Sequence, residues 1–302
     1  MIFFAIPFFR NVGYLNDALT SLLGQSSGNW VALVLDDAHD ENESSRAEQC
    51  VAEISDARIR YIKNSATVGM ANNWNQGLAH GRNHPQAIAT SILHADDRLR
   101  TGYVKAMLNA IENNPAATAF FCRVMIIDEN GREKFSFADF YKSLILPARK
   151  NGLLTLSGVE GIRSLVPGNY IFCPTLCYRN SLMTRQFDPG LKMVPDLELI
   201  LSLLLDGHQL QGLYAEALFE YRRHSASTTN IMSESLERFK EEKAIYENLA
   251  NQLETRNYIQ LGRQTRKLKV IRNNLLFLAT RSLILGRFAL AQRYFSFLFC
   301  LR

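Results

Sequence analysis

The 302-residue chain has few cysteines and no long apolar run. Its five cysteines are odd in number and scattered, which argues against a disulfide framework and favours reduced thiols in a cytosolic protein. Only Cys173 and Cys177 lie close together, and without a second Cys or His pair nearby we expect no zinc site. No uninterrupted apolar run approaches the roughly 20 residues that span a bilayer. We therefore expect a soluble or peripheral protein.

Proline and charge are also scarce. Eight prolines, 21% charged and 47% hydrophobic residues argue against a disordered or fibrous chain, and the length allows one large α/β domain with an appendage. The amino terminus has no basic segment before Pro7, so residues 1–6 are predicted to form a first strand and not a signal peptide.

Acidic residues are absent after Glu254, although ten basic residues follow it. With a net charge of +5, the chain before that point must carry about −5. The tail alternates apolar clusters with arginines, a pattern typical of helices on an anionic membrane surface. A helical hairpin packed on the rest of the chain or on a second subunit is the alternative, and both stay open. Nucleic acid is not expected, because no known binding module accompanies the charge.

The first half alternates strand and helix patterns, which predicts an α/β fold with a Rossmann-like, mostly parallel sheet and helices on both faces. Strands are predicted over residues 3–6, 30–35, 59–62, 87–93, 119–127 and 218–224. Helices are predicted over residues 14–23, 47–54, 70–80, 101–113 and 196–205, and from Ser233 onward. A capping box at residues 157–160 predicts one further helix start. The domains are expected to be residues 1–230 and a helical, basic extension over residues 231–302.

Two predicted strands end on paired acids. Asp36 and Asp37 follow one of them, and Asp96 and Asp97 follow another. Because the ligand crevice of an open α/β sheet lies outside the carboxyl ends of its strands, such acids can hold a divalent metal or a ribose. Taken alone, the same pattern is also typical of a solvated turn.

The order of motifs over roughly residues 1–230 resembles the family 2 glycosyltransferases. The matching segments are residues 6–9, 34–37, 64–78, 93–99, 195–199 and 221–224. The resemblance implies the GT-A fold and an inverting glycosyltransferase of the hexosyltransferase type. Such an enzyme would move a sugar from a nucleotide donor, UDP-linked, to a saccharide or lipid-linked acceptor in cell-surface polysaccharide synthesis. It would work in the cytoplasm or at the inner face of a membrane.

The resemblance also implies Mn²⁺ or Mg²⁺ as a cofactor, because a cation bridging the diphosphate stabilises the leaving group. Asp96 is the first choice of metal ligand, Asp97 takes that role if the alignment shifts by one, and His224 is a further candidate. Asp196 is the expected general base, with Glu198 as the fallback. The residues expected to bind the donor are Pro7, Asp36, Asp37, Asn64, Asn75, His94, Asp96, Arg222 and Arg223.

His94 departs from the family pattern, since it stands where many members have the first aspartate of the metal motif. Neutral histidine can still donate or accept a hydrogen bond. The departure keeps open a second hypothesis, a sugar-nucleotide-binding scaffold of a polysaccharide assembly without transferase activity.

Overall fold

The computed structural model of the chain describes residues 1–136, 142–224 and 235–301. Within them the strands are β1 (Ile2–Phe8), β2 (Trp30–Asp36), β3 (Ile59–Lys63), β4 (Ala89–Ile92), β5 (Arg98–Leu99), β6 (Ala117–Ile127), β7 (Leu153–Ser157), β8 (Cys177–Arg179) and β9 (Gln209–Arg222). The helices are α1 (Val12–Leu23), α2 (Glu41–Ile54), α3 (Met70–Asn83), α4 (Tyr103–Asn113), α5 (Gly158–Leu165), α6 (Pro195–Leu205), α7 (Glu237–Thr255), α8 (Ile259–Arg266), α9 (Lys269–Ile284) and α10 (Phe288–Cys300), with a short 3₁₀ turn at Cys173–Thr175.

These strands form one sheet in the order β3-β2-β1-β4-β8-β6-β9-β5, with β7 also paired to β9. The first four strands of that order, β3, β2, β1 and β4, are parallel to one another, as the strand and helix alternation predicts. The remainder is mixed, because β8 runs antiparallel to β4 and β6 while β6 and β9 are parallel. The predicted α/β class with a mostly parallel sheet is confirmed, and β5, β7 and β8 are strands that the sequence did not indicate.

The order in which the chain adds strands to the sheet reverses between β1 and β4. Open α/β sheets form their ligand crevice at such a position. Pro7 lies at this point, opposite Leu35 of β2. β4 pairs with β1 only as far as Ala5, so Pro7 lies beyond the last pair on that side and its missing N–H leaves no gap in the β4 ladder.

Both faces of the sheet are covered, as their alternating side chains require. From β1, Ile2 and Phe4 join Leu15 and Leu19 of α1 in one apolar core. The opposite face packs on α3, where Trp74 belongs to the second core. The predicted placement of helices on both faces is therefore confirmed.

Helix α3 approaches the sheet closely because two of its residues lack side chains. A Cβ atom at Gly77 would overlap the side chain of Ala5 in β1, and one at Gly81 would overlap Thr90 in β4. This close packing holds the second half of α3 directly against β1 and β4.

Two details differ from the sequence predictions. Strand β9 begins at Gln209 and ends at Arg222, whereas residues 218–224 were predicted, because pairing with β6 and β7 on its two sides extends it through polar residues. Helix α5 begins where the capping box predicts a helix, but Ser157 is the last residue of β7 and its side chain makes no capping hydrogen bond. The predicted capping box is thus wrong, although the helix is present.

The carboxyl-terminal helices share the second core. Leu204 of α6, Leu249 of α7 and Leu275 of α9 belong to one apolar cluster. The predicted division near residue 230 falls outside the described residues and stays a prediction. Among the residues that are described, no helix is both long and apolar enough to cross a membrane.

Candidate active site

The segment after β4 carries the second acid pair into the crevice. Leu93 and Ala95 are buried in the first core and anchor the segment, and the amide of Asp97 donates to the carbonyl of His94 at 3.1 Å in a tight turn. The side chains of His94, Asp96 and Asp97 are thereby held together. One ligand atom from each of the three lies within 4.8 Å of the other two.

Asp97 is only 1% exposed. Its Oδ1 accepts a hydrogen bond from the amide of Arg222 at 2.8 Å, whereas its Oδ2 is buried and has no partner among the described residues. Burial raises the pKa of Asp97 well above its usual value, and the neighbouring Asp96 raises it further, against the lowering effect of Arg222 and Arg223. The structure therefore leaves one buried carboxylate oxygen able to bind a cation.

Asp96 is more accessible, with 38% of its side chain exposed. Its Oδ2 lies 3.0 Å from Nε2 of His224. Burial acts to raise the pKa of Asp96, but the hydrogen bond from His224, together with smaller electrostatic effects, outweighs it, so the pKa of Asp96 is lowered. Asp96 is therefore the ionised, solvent-facing member of the pair.

The imidazole of His94 stacks on the indole of Trp74, with 5.1 Å between ring centroids and 27° between planes. Its Nε2 is buried and lacks a hydrogen-bond partner among the described residues. Burial lowers the pKa of His94 more than Asp96 raises it, so the ring is held in the neutral form. A neutral imidazole nitrogen can act as a ligand or as a hydrogen-bond donor.

Arg222 holds this segment in place from the end of β9. Its side chain is 1% exposed, and its Nε donates to the carbonyl of Asp96 at 2.7 Å. Its Nη2 contacts Asp17 of α1 at 2.7 Å, and its Nη1 donates to the carbonyl of Glu129 at 3.0 Å. The guanidinium also lies 4.5 Å from the ring centre of Tyr14. Arg222 thus joins β9, α1 and the turn after β6 to the acid segment.

The neighbouring basic residues lie closer to solvent. Arg223 is partly exposed, and its guanidinium lies 5.4 Å from the ring centre of Tyr221. His224 contacts Asp96, and its ring lies 5.4 Å from that of Tyr14. The structure therefore brings His224 to the predicted metal ligand Asp96, as one of that carboxylate's hydrogen-bond partners.

The first acid pair has a different environment. Asp36 accepts hydrogen bonds from the amide of Ala38 at 2.8 Å and from the hydroxyl of Tyr61 at 2.5 Å. Asp37 accepts from the amides of Val68 at 2.8 Å and Gly69 at 2.9 Å. Both carboxylates are buried, and they hold the turn after β2 and the loop that leads into α3.

The predicted asparagines belong to the same framework. Asn64 donates to Asp37 at 2.9 Å and to the side chain of Asn73 at 3.2 Å. Asn75 pairs with the backbone of Phe187, donating to its carbonyl and accepting from its amide, both at 2.9 Å. Phe187 in turn packs edge-on against Trp74, 5.0 Å between centroids. Asn75 therefore supports the surface on which His94 stacks.

Asp196 lies in the first turn of α6, directly after Pro195. Burial raises the pKa of Asp196, and this effect exceeds the lowering by Lys142, by the backbone amides of the turn and by Arg238. Burial raises the pKa of the Cys173 thiol, and the charges of Asp196 and Asp97 raise it further, so both acids act on this thiol. The fallback base Glu198 accepts a hydrogen bond from Ser202 at 2.6 Å on the same helix.

Sequence reasoning missed several residues that shape the site. Trp74 and Phe187 carry the stack on His94, and Asp17 and Tyr14 surround the guanidinium of Arg222. Trp74 is adjacent to the predicted Asn75 in α3, and Tyr14 and Asp17 were read only as part of the first helix. Their distance from the acid pair along the chain left no local signal of these contacts.

The fold and this arrangement define a glycosyltransferase of GT-A architecture. The profile described as glycosyl transferase family 2 matches residues 4–164, more than half of the chain. The chain belongs to that family, which confirms the resemblance drawn from the motifs. A search of curated protein sequences finds no match.

Solved structures agree on the fold. S. aureus TarS 1-349 in complex with UDP-GlcNAc superposes with a TM-score of 0.63 at 14% identity, over 93% of this chain and 74% of that one. S. aureus TarS 1-349 gives a TM-score of 0.61 at 15% identity, over 93% and 73% of the two chains. GalNAc-T7 with UDP, GalNAc and Mn²⁺ gives 0.56 at 9% identity, over 74% of this chain and 44% of that one. At such identities the likeness concerns the fold alone.

Proposed function

We propose that this glycosyltransferase uses a nucleotide-sugar donor, UDP-linked, and a divalent cation, and that it transfers the sugar with inversion to a saccharide or lipid-linked acceptor. The observation that carries the proposal is the group His94, Asp96 and Asp97, with two buried ligand atoms left without a partner among the described residues. A buried unpartnered oxygen costs free energy unless a ligand satisfies it.

The donor set fits a hard divalent cation. Two carboxylates supply the oxygen ligands that Mg²⁺ and Mn²⁺ prefer, and a neutral imidazole is also compatible with Mn²⁺. Asp96 and Asp97 would hold the ion, with His94 beside them and His224 fixing the carboxylate of Asp96. When bound, the ion supplies Lewis-acid stabilisation of the negative charge on a departing diphosphate. The relative GalNAc-T7 was solved with UDP and Mn²⁺, which supports this choice of cofactor.

Asp196 is the proposed general base. An inverting transfer needs one carboxylate that takes the proton of the acceptor hydroxyl as it attacks the sugar from the face opposite the leaving group. The raised pKa of Asp196 makes it a stronger base than an exposed aspartate. Glu198 is the less favoured alternative, because Ser202 already occupies one of its oxygens.

For the donor we propose contacts at the crevice between β1 and β4. The residues we assign to this role are Pro7, Asp36, Asp37 and Asn64, although the two acids already bind neighbouring backbone and side chains. We propose that Arg223, which is partly exposed, contacts the diphosphate of the donor. The phosphate contact expected of Arg222 stays a prediction, since in this structure its guanidinium binds Asp17 and three backbone carbonyls.

The relatives support a UDP-linked donor, since TarS 1-349 was solved with UDP-GlcNAc. We further propose a role in cell-surface polysaccharide synthesis in the cytoplasm. The five cysteines are all free, which fits a reducing compartment.

The test is a screen of nucleotide sugars with purified protein and Mn²⁺, scored by release of nucleoside diphosphate with and without saccharide acceptors. We expect metal-dependent release from one UDP-sugar, and loss of it in both Asp96→Asn and Asp196→Asn. Unchanged turnover in both folded variants would contradict the assignment. Metal-dependent UDP binding without turnover of any donor would favour the scaffold hypothesis.

A further inference from the structure

The tip of the carboxyl-terminal helical hairpin is apolar and exposed. Helices α9 and α10 meet at a turn in which Gly286 has a φ of 70°. Around this turn Leu283 is 42%, Ile284 80%, Leu285 58% and Phe288 69% exposed. We call these four residues the hairpin tip. Single exposed apolar residues are ordinary, but four adjacent ones form a patch of the kind that marks an interaction site.

The hairpin is anchored on its other side. Ile271, Leu275 and Ala279 of α9 are buried in the second core, together with Tyr294 of α10. Helix α9 is therefore apolar on two sides, one of which the protein itself covers. A helix with this pattern needs a second apolar environment for its outer side. The outer side of α9 also carries Leu276 and Phe277, which are 50% and 48% exposed, and α10 carries Phe299, which is 76% exposed.

The segment that carries the patch has charge of one sign. No acidic residue follows Glu254. Arg281 and Arg293 are exposed on the hairpin itself, one on each helix. The basic residues of the whole segment are Arg256, Arg263, Arg266, Lys267, Lys269, Arg272, Arg281, Arg287, Arg293 and Arg302.

We propose that the hairpin tip inserts into an anionic lipid surface, with the arginines beside it contacting the headgroups. Apolar side chains flanked by cations are the combination that binds such an interface, at a depth of about 5–10 Å. Each Lys or Arg near anionic lipid strengthens binding about five-fold. A second copy of this chain fits less well, because it would bring two acid-free segments together. We propose a peripheral site, which contacts the surface of the bilayer, since no described helix can span a bilayer.

The experiment uses the full chain and vesicles of two compositions, phosphatidylcholine alone and phosphatidylcholine with an equal amount of phosphatidylglycerol. Co-sedimentation at low salt is expected to show binding to the anionic vesicles that is at least about ten-fold tighter than to the neutral ones. Added salt should weaken it, because the arginines act through screened charges.

Matched variants separate the apolar and charged contributions. Ile284→Ser with Phe288→Ser should weaken vesicle binding at least about ten-fold, because two large apolar side chains lose their contact with lipid. Ile62→Ser is the control, since Ile62 is 41% exposed on the edge strand β3. Arg281→Gln and Arg293→Gln should each weaken binding about five-fold, and Arg60→Gln, also on β3, should not.

Three results would overturn the proposal. The first is no binding of the unaltered chain to anionic vesicles at low salt. The second is binding that the paired substitution at Ile284 and Phe288 leaves unchanged. The third is a dimer in light scattering that this substitution dissociates, because the tip would then be covered by a second copy.

Discussion

The two acid pairs of this protein follow parallel strands in the same way but face different groups. Asp36 accepts hydrogen bonds from Ala38 and Tyr61, and Asp37 accepts three from Asn64, Val68 and Gly69, so five hydrogen bonds satisfy this pair. Asp96 and Asp97 meet a histidine and one backbone amide, and an oxygen of Asp97 stays without a partner among the described residues. The same dipeptide therefore builds a loop in one place and a candidate metal site in the other.

This difference arises outside the pairs themselves. The loop of residues 64–69 folds over Asp37, where the side chain of Asn64 and the amides of Val68 and Gly69 donate to its carboxylate. Arg222 lies opposite Asp97. Its guanidinium binds Asp17 and backbone carbonyls, so only its backbone amide donates to the carboxylate of Asp97. The comparison teaches that the donors available around a carboxylate decide whether it stabilises the fold or binds a ligand.

The largest expected effect is on catalysis at the second pair. Asp96→Asn should lower kcat about 1,000-fold, because a site that stabilises leaving-group charge contributes several kcal/mol to the barrier. The unfolding free energy should change little, since Asp96 is partly exposed. Sugar transfer assays and urea denaturation measure the two quantities. Asp40→Asn is the control, because Asp40 is an exposed helix cap that asparagine replaces well. Equal activity of both variants would contradict the comparison.

The next effect concerns the group that holds the second pair in place. Arg222→Met should cost about 3 kcal/mol of unfolding free energy, because it leaves Asp17 and three backbone carbonyls without their buried cation. Arg223→Met should cost less than about 0.5 kcal/mol of unfolding free energy, because the side chain of Arg223 is partly exposed. Chemical denaturation at neutral pH gives both values, and a cost at Arg223 as large as at Arg222 would show that Arg222 has no special role.

A smaller difference should separate Asp37→Asn from Asp97→Asn. At Asp37 the new amide group would face backbone N–H donors, so we expect a loss of about 2 kcal/mol in unfolding free energy. At Asp97 the change removes a buried carboxyl that burial already disfavours in its charged form, so stability should stay within about 1 kcal/mol. Urea titrations of the metal-free proteins make the comparison, and a reversed order would refute it.

The smallest effect is a dependence of stability on pH. The pKa of Asp97 is higher in the folded state than in the unfolded state, so its protonated form stabilises the fold below the unfolded pKa. This stability is lost as pH rises through the folded pKa, by at most about 1.4 kcal/mol per pH unit. In Asp97→Asn that loss should be absent. Metal-free protein, unfolded by urea across mildly acidic to neutral pH, provides the measurement. If the unfolding free energy depended on pH equally in both proteins, the result would count against a buried Asp97 whose charged form lacks a cation.

Much of the fold could be predicted because its signals are local. The strand and helix alternation from β1 to α4 follows from apolar spacing, and the paired acids mark the strand ends. Strands β5 and β8 were missed because two or three residues carry no periodicity. Strand β9 was predicted too short because its first half contains Gln209, Gln211 and Gly212, which pairing with β6 and β7 keeps extended.

The candidate site was predicted in part. Asp96, Asp97, His94 and His224 do lie together, as the motif order implies. The environment of Arg222 could not be foreseen, because its partners Asp17 and Glu129 come from parts of the chain 205 and 93 residues away. Such contacts depend on the packing of α1 and of the turn after β6, which no local pattern encodes.

The most direct test of the central claim is calorimetric titration of UDP into the full chain, with and without Mn²⁺. We predict that Mn²⁺ tightens UDP binding to the unaltered protein at least about ten-fold, and that Asp96→Asn abolishes this enhancement while Asp40→Asn keeps it. The same Mn²⁺ enhancement in Asp96→Asn would contradict a metal site at the second acid pair.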